Sequence, residues 1–82
     1  MSNEKEIGYL VNDEPQLTKE KVLTPVEIME KAGIDPNNNY LIEIKNDHKK
    51  ESFKDDPNKA IHIHDGMKFI TNFMGPKPVS NG

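Results

Sequence analysis

Leu23-Thr24-Pro25-Val26-Glu27-Ile28-Met29-Glu30-Lys31-Ala32-Gly33-Ile34-Asp35-Pro36 is the stretch whose reading decides the fold. Thr24 stands at an N-cap position, Pro25 suits the first helical residue, and Glu27 follows three residues after the cap. This is a capping box, in which the hydroxyl accepts from the third helical amide and the carboxylate reaches back to the cap's own N–H. Leu23, just before the cap, is placed to pack on Ile28 as a hydrophobic staple. Val26, Ile28, Met29 and Ala32 make an apolar stripe to lie on a sheet. Gly33 supplies the left-handed residue that ends a helix, Ile34 folds back on Met29, and Asp35-Pro36 blocks continuation. The spacing predicts a helix over 25–32.

Working outward towards the N-terminus, Ile7, Tyr9 and Val11 alternate with Gly8, Leu10 and Asn12, a strand with one buried face. Asn12-Asp13-Glu14-Pro15 is a cluster of turn formers, and residues 16–23 are polar but β-compatible, so a first hairpin is expected. On the other side, Asn37-Asn38-Asn39 reads as loop and Tyr40–Lys45 as a strand in which Ile42 and Ile44 share a face. A polar excursion over 46–50 precedes a short strand around Ser52-Phe53-Lys54, which Asp55-Asp56-Pro57-Asn58 ends. Ile61 and Ile63 alternate with His62 and His64 up to the Asp65-Gly66 turn, and Lys68–Phe73 makes the last strand. Strand, strand, helix, strand, short strand and strand predict an α+β domain, one helix on a mixed sheet, in the order of a β-grasp.

Eighty-two residues fit one domain. Residues 1–6 read as a flexible charged N-terminus, 7–73 as the body and 74–82 as a tail. With two prolines and two glycines, the nine tail residues would span up to roughly 28 Å if extended. The chain has no cysteine, which excludes disulfides, thiolate metal sites and a Cys nucleophile. The charged start carries no apolar signal-peptide core, and no run reaches the length of a membrane span, so a cytoplasmic protein without membrane contact is expected.

All 11 basic residues are Lys, interspersed with acids in a chain of net charge -3. Without the guanidinium fork that grips phosphates and guanine edges, a nucleic-acid partner is not expected. His62 and His64 point the same way on a strand, but no cysteine or carboxylate stands at a recognised ligand spacing from them or from His48. They read as solvent-facing histidines, and no metal is expected. Ser52 and Ser80 lie in no nucleophile motif, Asp55-Asp56 reads as a turn, and there is no Gly-rich phosphate loop. Neither a cofactor nor an enzymatic activity is expected.

Three segments together resemble a known group: Leu23-Thr24-Pro25-Val26-Glu27-Ile28, Ala32-Gly33-Ile34-Asp35-Pro36 with Tyr40-Leu41, and Phe53-Lys54-Asp55-Asp56 through Ile61-His62-Ile63 to Gly66–Thr71. They are similar to the bacterial multiubiquitin family of ubiquitin-like domains over about residues 9–73. The chain departs from that pattern at Pro25, where the family usually has Gly, at the first turn, and at Asn81-Gly82, where such proteins usually have Gly-Gly. The resemblance implies a ubiquitin-like β-grasp fold and a protein modifier conjugated by an isopeptide bond. The carboxylate of Gly82 would be activated by an E1-like activating enzyme, passed to an E2-like conjugating enzyme, joined to target proteins, and released by a deconjugating protease. Having no Cβ, Gly82 suits a carbonyl that must thread a narrow channel.

Two alternatives accompany that expectation. One is a non-covalent ubiquitin-like interaction module, and the other a sulfur carrier in which the same carboxylate becomes a thiocarboxylate. For either kind of binding the sequence offers one surface. Leu10, Leu41 and Ile70 fall on the alternation opposite to Val11, Ile42 and Phe69, and so predict a small apolar patch on the outer sheet face.

Overall fold

The computed structural model describes residues 5–46 and 48–74. Its helix is α1, Pro25–Lys31, and every device read at its ends is present. Thr24 Oγ1 accepts the Glu27 amide at 3.1 Å while Glu27 Oε1 accepts the Thr24 amide at 2.9 Å. The Val26 N–H donates to the Pro57 carbonyl at 3.1 Å and the Ile28 N–H to Thr24 at 2.9 Å. With Pro25 lacking a donor, the whole first turn is satisfied. At the other end the Ile34 N–H bonds to Met29 and the Gly33 N–H to Glu30, the paired bonds of a Schellman motif, with Gly33 at φ 77°. Leu23 and Ile28, the two ends of the staple, are both fully buried.

Among the described residues seven strands accompany it: β1 Ile7–Val11, β2 Glu14–Thr18, β3 Val22–Leu23, β4 Asn39–Asn46, β5 Lys49–Ser52, β6 Ile61–His62 and β7 Lys68–Phe73. Five form one mixed sheet in the order β2-β1-β7-β4-β5, and β3 with β6 makes a separate two-stranded ribbon. At the middle of the large sheet β1 and β7 run parallel, with β2 antiparallel to β1 and β4 antiparallel to both β7 and β5. The molecule is thus a small α+β domain of five-stranded mixed sheet and one helix. The core gathers Tyr9, Val11, Leu23, Ile28, Met29, Leu41, Phe53, Ile61, Ile63 and Phe69 between sheet, helix and ribbon.

The first hairpin differs from its sequence reading. Its turn is only Asn12-Asp13, both at positive φ (53° and 67°), as a two-residue hairpin turn demands. Asn and Asp tolerate that conformation, so Glu14 and Pro15 are free to enter β2, an edge strand where a proline costs no ladder bond. The expected strand over 16–23 also breaks. Thr18 Oγ1 takes the Glu20 N–H at 3.0 Å, the chain bends, and Val22-Leu23 resume in the ribbon opposite His62 and Ile61. In the second hairpin, β5 occupies Lys49–Ser52 rather than 52–54. Lysines are poor strand formers by propensity yet serve an edge strand well, because they discourage further pairing.

Asn12 and Asp65 stitch the centre together. The Asn12 side chain donates to Thr71 Oγ1 at 2.9 Å and accepts the Thr71 N–H at 3.0 Å, continuing the β1–β7 ladder past the end of β1. Asp65 Oδ1 accepts the Gly8 N–H at 2.9 Å at the opposite end of the same seam.

Candidate functional site

Register decides which side chains share a face, because directly paired residues point the same way. Phe69 lies in the core and pairs with Glu43 on β4, so Leu41 and Glu43 face the helix side. Ile42 pairs with Ile70, and Ile44 with Lys68, on the outer side. Leu41 is therefore corrected from the patch to the core, where its exposure is 0%. Alternation gives a strand its period but not its phase. Ile42 and Ile44 share a face as expected, but it is the outer one, where Ile42 is buried and Ile44 half-buried, whereas the helix side of β4 carries Leu41 followed by Glu43 and Lys45.

Leu10 and Ile70 stand where the sequence placed them, half-buried on the outer face. The structure brings Ile42 and Ile44 beside Ile70 across the β4–β7 ladder. It adds Leu17 from β2, which is 65% exposed and lies over Gly8. Leu17 follows the Pro15-x-Leu17 alternation of an edge strand, a signal that the expected turn over 12–15 concealed. The rim is cationic: Ile44 is paired on one side with Lys50 and on the other with Lys68, both exposed. Along the same face Ser52 pairs with Ile42, and Asn72 pairs with Tyr40 at the opposite end of β4.

The charged cluster lies on the other side of the sheet. Glu51 binds Lys45 Nζ at 2.8 Å and Lys59 Nζ at 3.3 Å. Those two hydrogen bonds hold the Glu51 carboxyl below the usual carboxylate range, and the Glu51 bond holds the Lys45 ammonium above its ordinary value. The cluster is open to water and each group already has its partner, so it reads as a surface network.

Tyr9 is the one buried side chain whose polar atom lacks a hydrogen bond among the described residues. Its ring meets Phe69 edge to face at 6.0 Å, and burial, reinforced by Glu20, pushes its phenol upward in pKa. His62 and His64 are exposed, and among the described residues no group of three or more His, Cys, Asp or Glu is arranged to hold a metal ion. No helix of the described residues is long and apolar enough to cross a membrane. Gly82, the expected conjugation residue, lies outside the described residues, as do 1–4 of the N-terminal segment and 75–82 of the tail. Met74 is described, and its N–H donates to the Asn38 carbonyl at 2.7 Å.

Compared with family models, curated proteins and solved structures, the chain matches none. The reading of its function therefore rests on its own residues and geometry.

Proposed function

We propose that this chain is a ubiquitin-like β-grasp domain that acts by engaging other proteins, not by catalysis. More particularly, it is read as a bacterial ubiquitin-like modifier, gripped by its outer sheet face and joined to target amines through Gly82. The observation that carries the reading is the sheet order, with the first and last strands paired in parallel at the centre and the helix across one side. That arrangement delivers the chain out of β7 and past Met74 with residues 75–82 still to come. The chemistry belongs to partner enzymes. The Gly82 carboxylate attacks ATP and gives an acyl-adenylate and pyrophosphate. An enzyme thiol then displaces AMP to form a thioester, and a target amine displaces the thiol to form an amide.

The outer face favours a second reading, a module that binds without conjugation. Leu10, Leu17, Ile44 and Ile70 form an apolar surface over the buried Ile42, with lysines at its rim, and such a surface complements an apolar partner edged with carboxylates. The two readings separate in one experiment. The intact mass of the cellular protein, free and in adducts, is measured for the full chain, an Ile70→Asp variant and a variant with Gly82 deleted. Covalent adducts lost in both variants support the modifier. Adducts that survive deletion of Gly82 overturn it. Partner binding lost only in Ile70→Asp, with no adducts in any sample, assigns the module. A gain of about 16 Da on the free chain, as oxygen gives way to sulfur, marks the sulfur carrier instead.

A further inference from the structure

The turn that leads into β7 is built from a chemically fragile pair. Asp65 is the one aspartate of the chain followed by glycine. In such a pair the glycine nitrogen can attack the carbonyl carbon of the aspartate side chain, because no Cβ shields it. The new amide bond expels water and closes a five-membered succinimide. Water then adds back. Opening at the side-chain carbonyl restores aspartate, whereas opening at the main-chain carbonyl leaves the backbone running through Asp65 Cβ and Cγ, an isoaspartate. The fold nevertheless uses both residues. Gly66 stands at φ 88°, the third position of a turn that the Met67 N–H closes on the His64 carbonyl at 3.3 Å. Asp65 supplies the side-chain oxygen that receives β1. Both are exposed to water.

Both reacting groups are held by one residue of β1. The Gly8 N–H donates to Asp65 Oδ1 at 2.9 Å, and the Gly66 N–H donates to the Gly8 carbonyl at 2.8 Å. Cyclisation asks the opposite of each group. The carboxyl must swing onto the glycine nitrogen, and that nitrogen must give up its proton. We propose that Asp65-Gly66 is a modification site, an isoaspartate-forming pair that β1 keeps closed while it is docked. The site opens with the seam between β1 and the turn before β7, a local event smaller than global unfolding. Once formed, isoaspartate adds a methylene to the main chain, and Gly8 can no longer meet both partners at hydrogen-bond distance in the same geometry. The modification therefore marks molecules whose first strand has come away, and it hinders that strand's return. Neither the outer face nor Gly82 takes part, so the inference is independent of either reading of function.

The test is peptide mapping of the full chain aged at neutral pH, with isoaspartate at Asp65 resolved by chromatography because it leaves the mass unchanged. The folded protein should isomerise at Asp65 at least about tenfold more slowly than the same chain held in concentrated urea. Gly8→Pro removes the donor to Asp65 and should raise the folded rate. Gly8→Ala keeps both bonds, since its Cβ meets Leu17 Cδ2 at an ordinary 3.7 Å, and should leave the rate unchanged. Asn12→Gly loosens the seam from its far end. It removes the side chain that bonds Thr71, at a φ of 53° that glycine accepts, and should raise the rate as well. Hydrogen exchange of the Gly66 amide, read on the same samples, keeps the result decisive if a variant unfolds, because isomerisation must rise and fall with that exchange. Equal rates in the folded and the urea-held chain would overturn the proposal. So would an Asn12→Gly rate that stays at the wild-type value while Gly66 exchange quickens.

Discussion

Tyr9 shows how one side chain sets a limit on the domain. Its ring fills the core against Phe69 and the residue is 2% exposed, yet among the described residues its buried hydroxyl has no hydrogen-bond partner. An unsatisfied buried hydroxyl costs about 1–3 kcal/mol, so Tyr9→Phe should raise stability in urea denaturation by about 1 kcal/mol. The pH dependence follows from the raised phenol. The unfolded chain gives up this proton first as the pH climbs past about 10, so it binds fewer protons than the folded one there. Stability is therefore complete below that pH and drains as the pH rises towards the folded value. The alkaline loss should be shallower in Tyr9→Phe, although not absent, because Lys45 also holds its proton more tightly when folded.

At the scale of elements, the helix is short and owes its definition to its ends. Seven residues cannot hold a helix by propensity alone. Thr24→Ala should cost about 1 kcal/mol, because the Glu27 amide loses its acceptor. Gly33→Ala should also cost about 1 kcal/mol for backbone reasons only, since a Cβ at this position meets no atom within 4 Å while φ stays at 77°. Urea midpoints of the two variants check both values. These same ends were the most legible part of the sequence, because caps are local: Thr24, Glu27, Gly33 and Ile34 interact within a few residues. The strands were legible in existence and less so in phase. Whether Leu41 or Ile42 faces the helix depends on pairing with Thr71 and Ile70, some thirty residues away, and no local pattern carries that.

For the molecule as a whole, the two faces of the sheet differ in how tightly they are packed. Leu41 is enclosed by core, and Leu41→Ala should cost about 2–5 kcal/mol by leaving a cavity. Ile44 sits on the outer face between Lys50 and Lys68, and Ile44→Ser should cost about 1 kcal/mol while weakening any partner that uses that face. Thermal melts of the two variants, paired with a binding assay, distinguish the two sides. The outer surface was only partly legible: Leu10 and Ile70 were found by alternation, but Ile44 and Leu17 needed the register. The expectation about Gly82 lies beyond the described residues.

The seam where β1 meets β7 has a consequence for how the protein is made. Asn12 clasps Thr71 across 59 positions, and Gly8 reaches Asp65 across 57. During synthesis the opening hairpin and the capped helix leave the ribosome with the middle of their sheet still missing, and their oily sides stay uncovered until Phe69 arrives. Completion is then a single late event, and a nascent chain halted before residue 68 should be left to chaperones, however well its earlier pieces are formed.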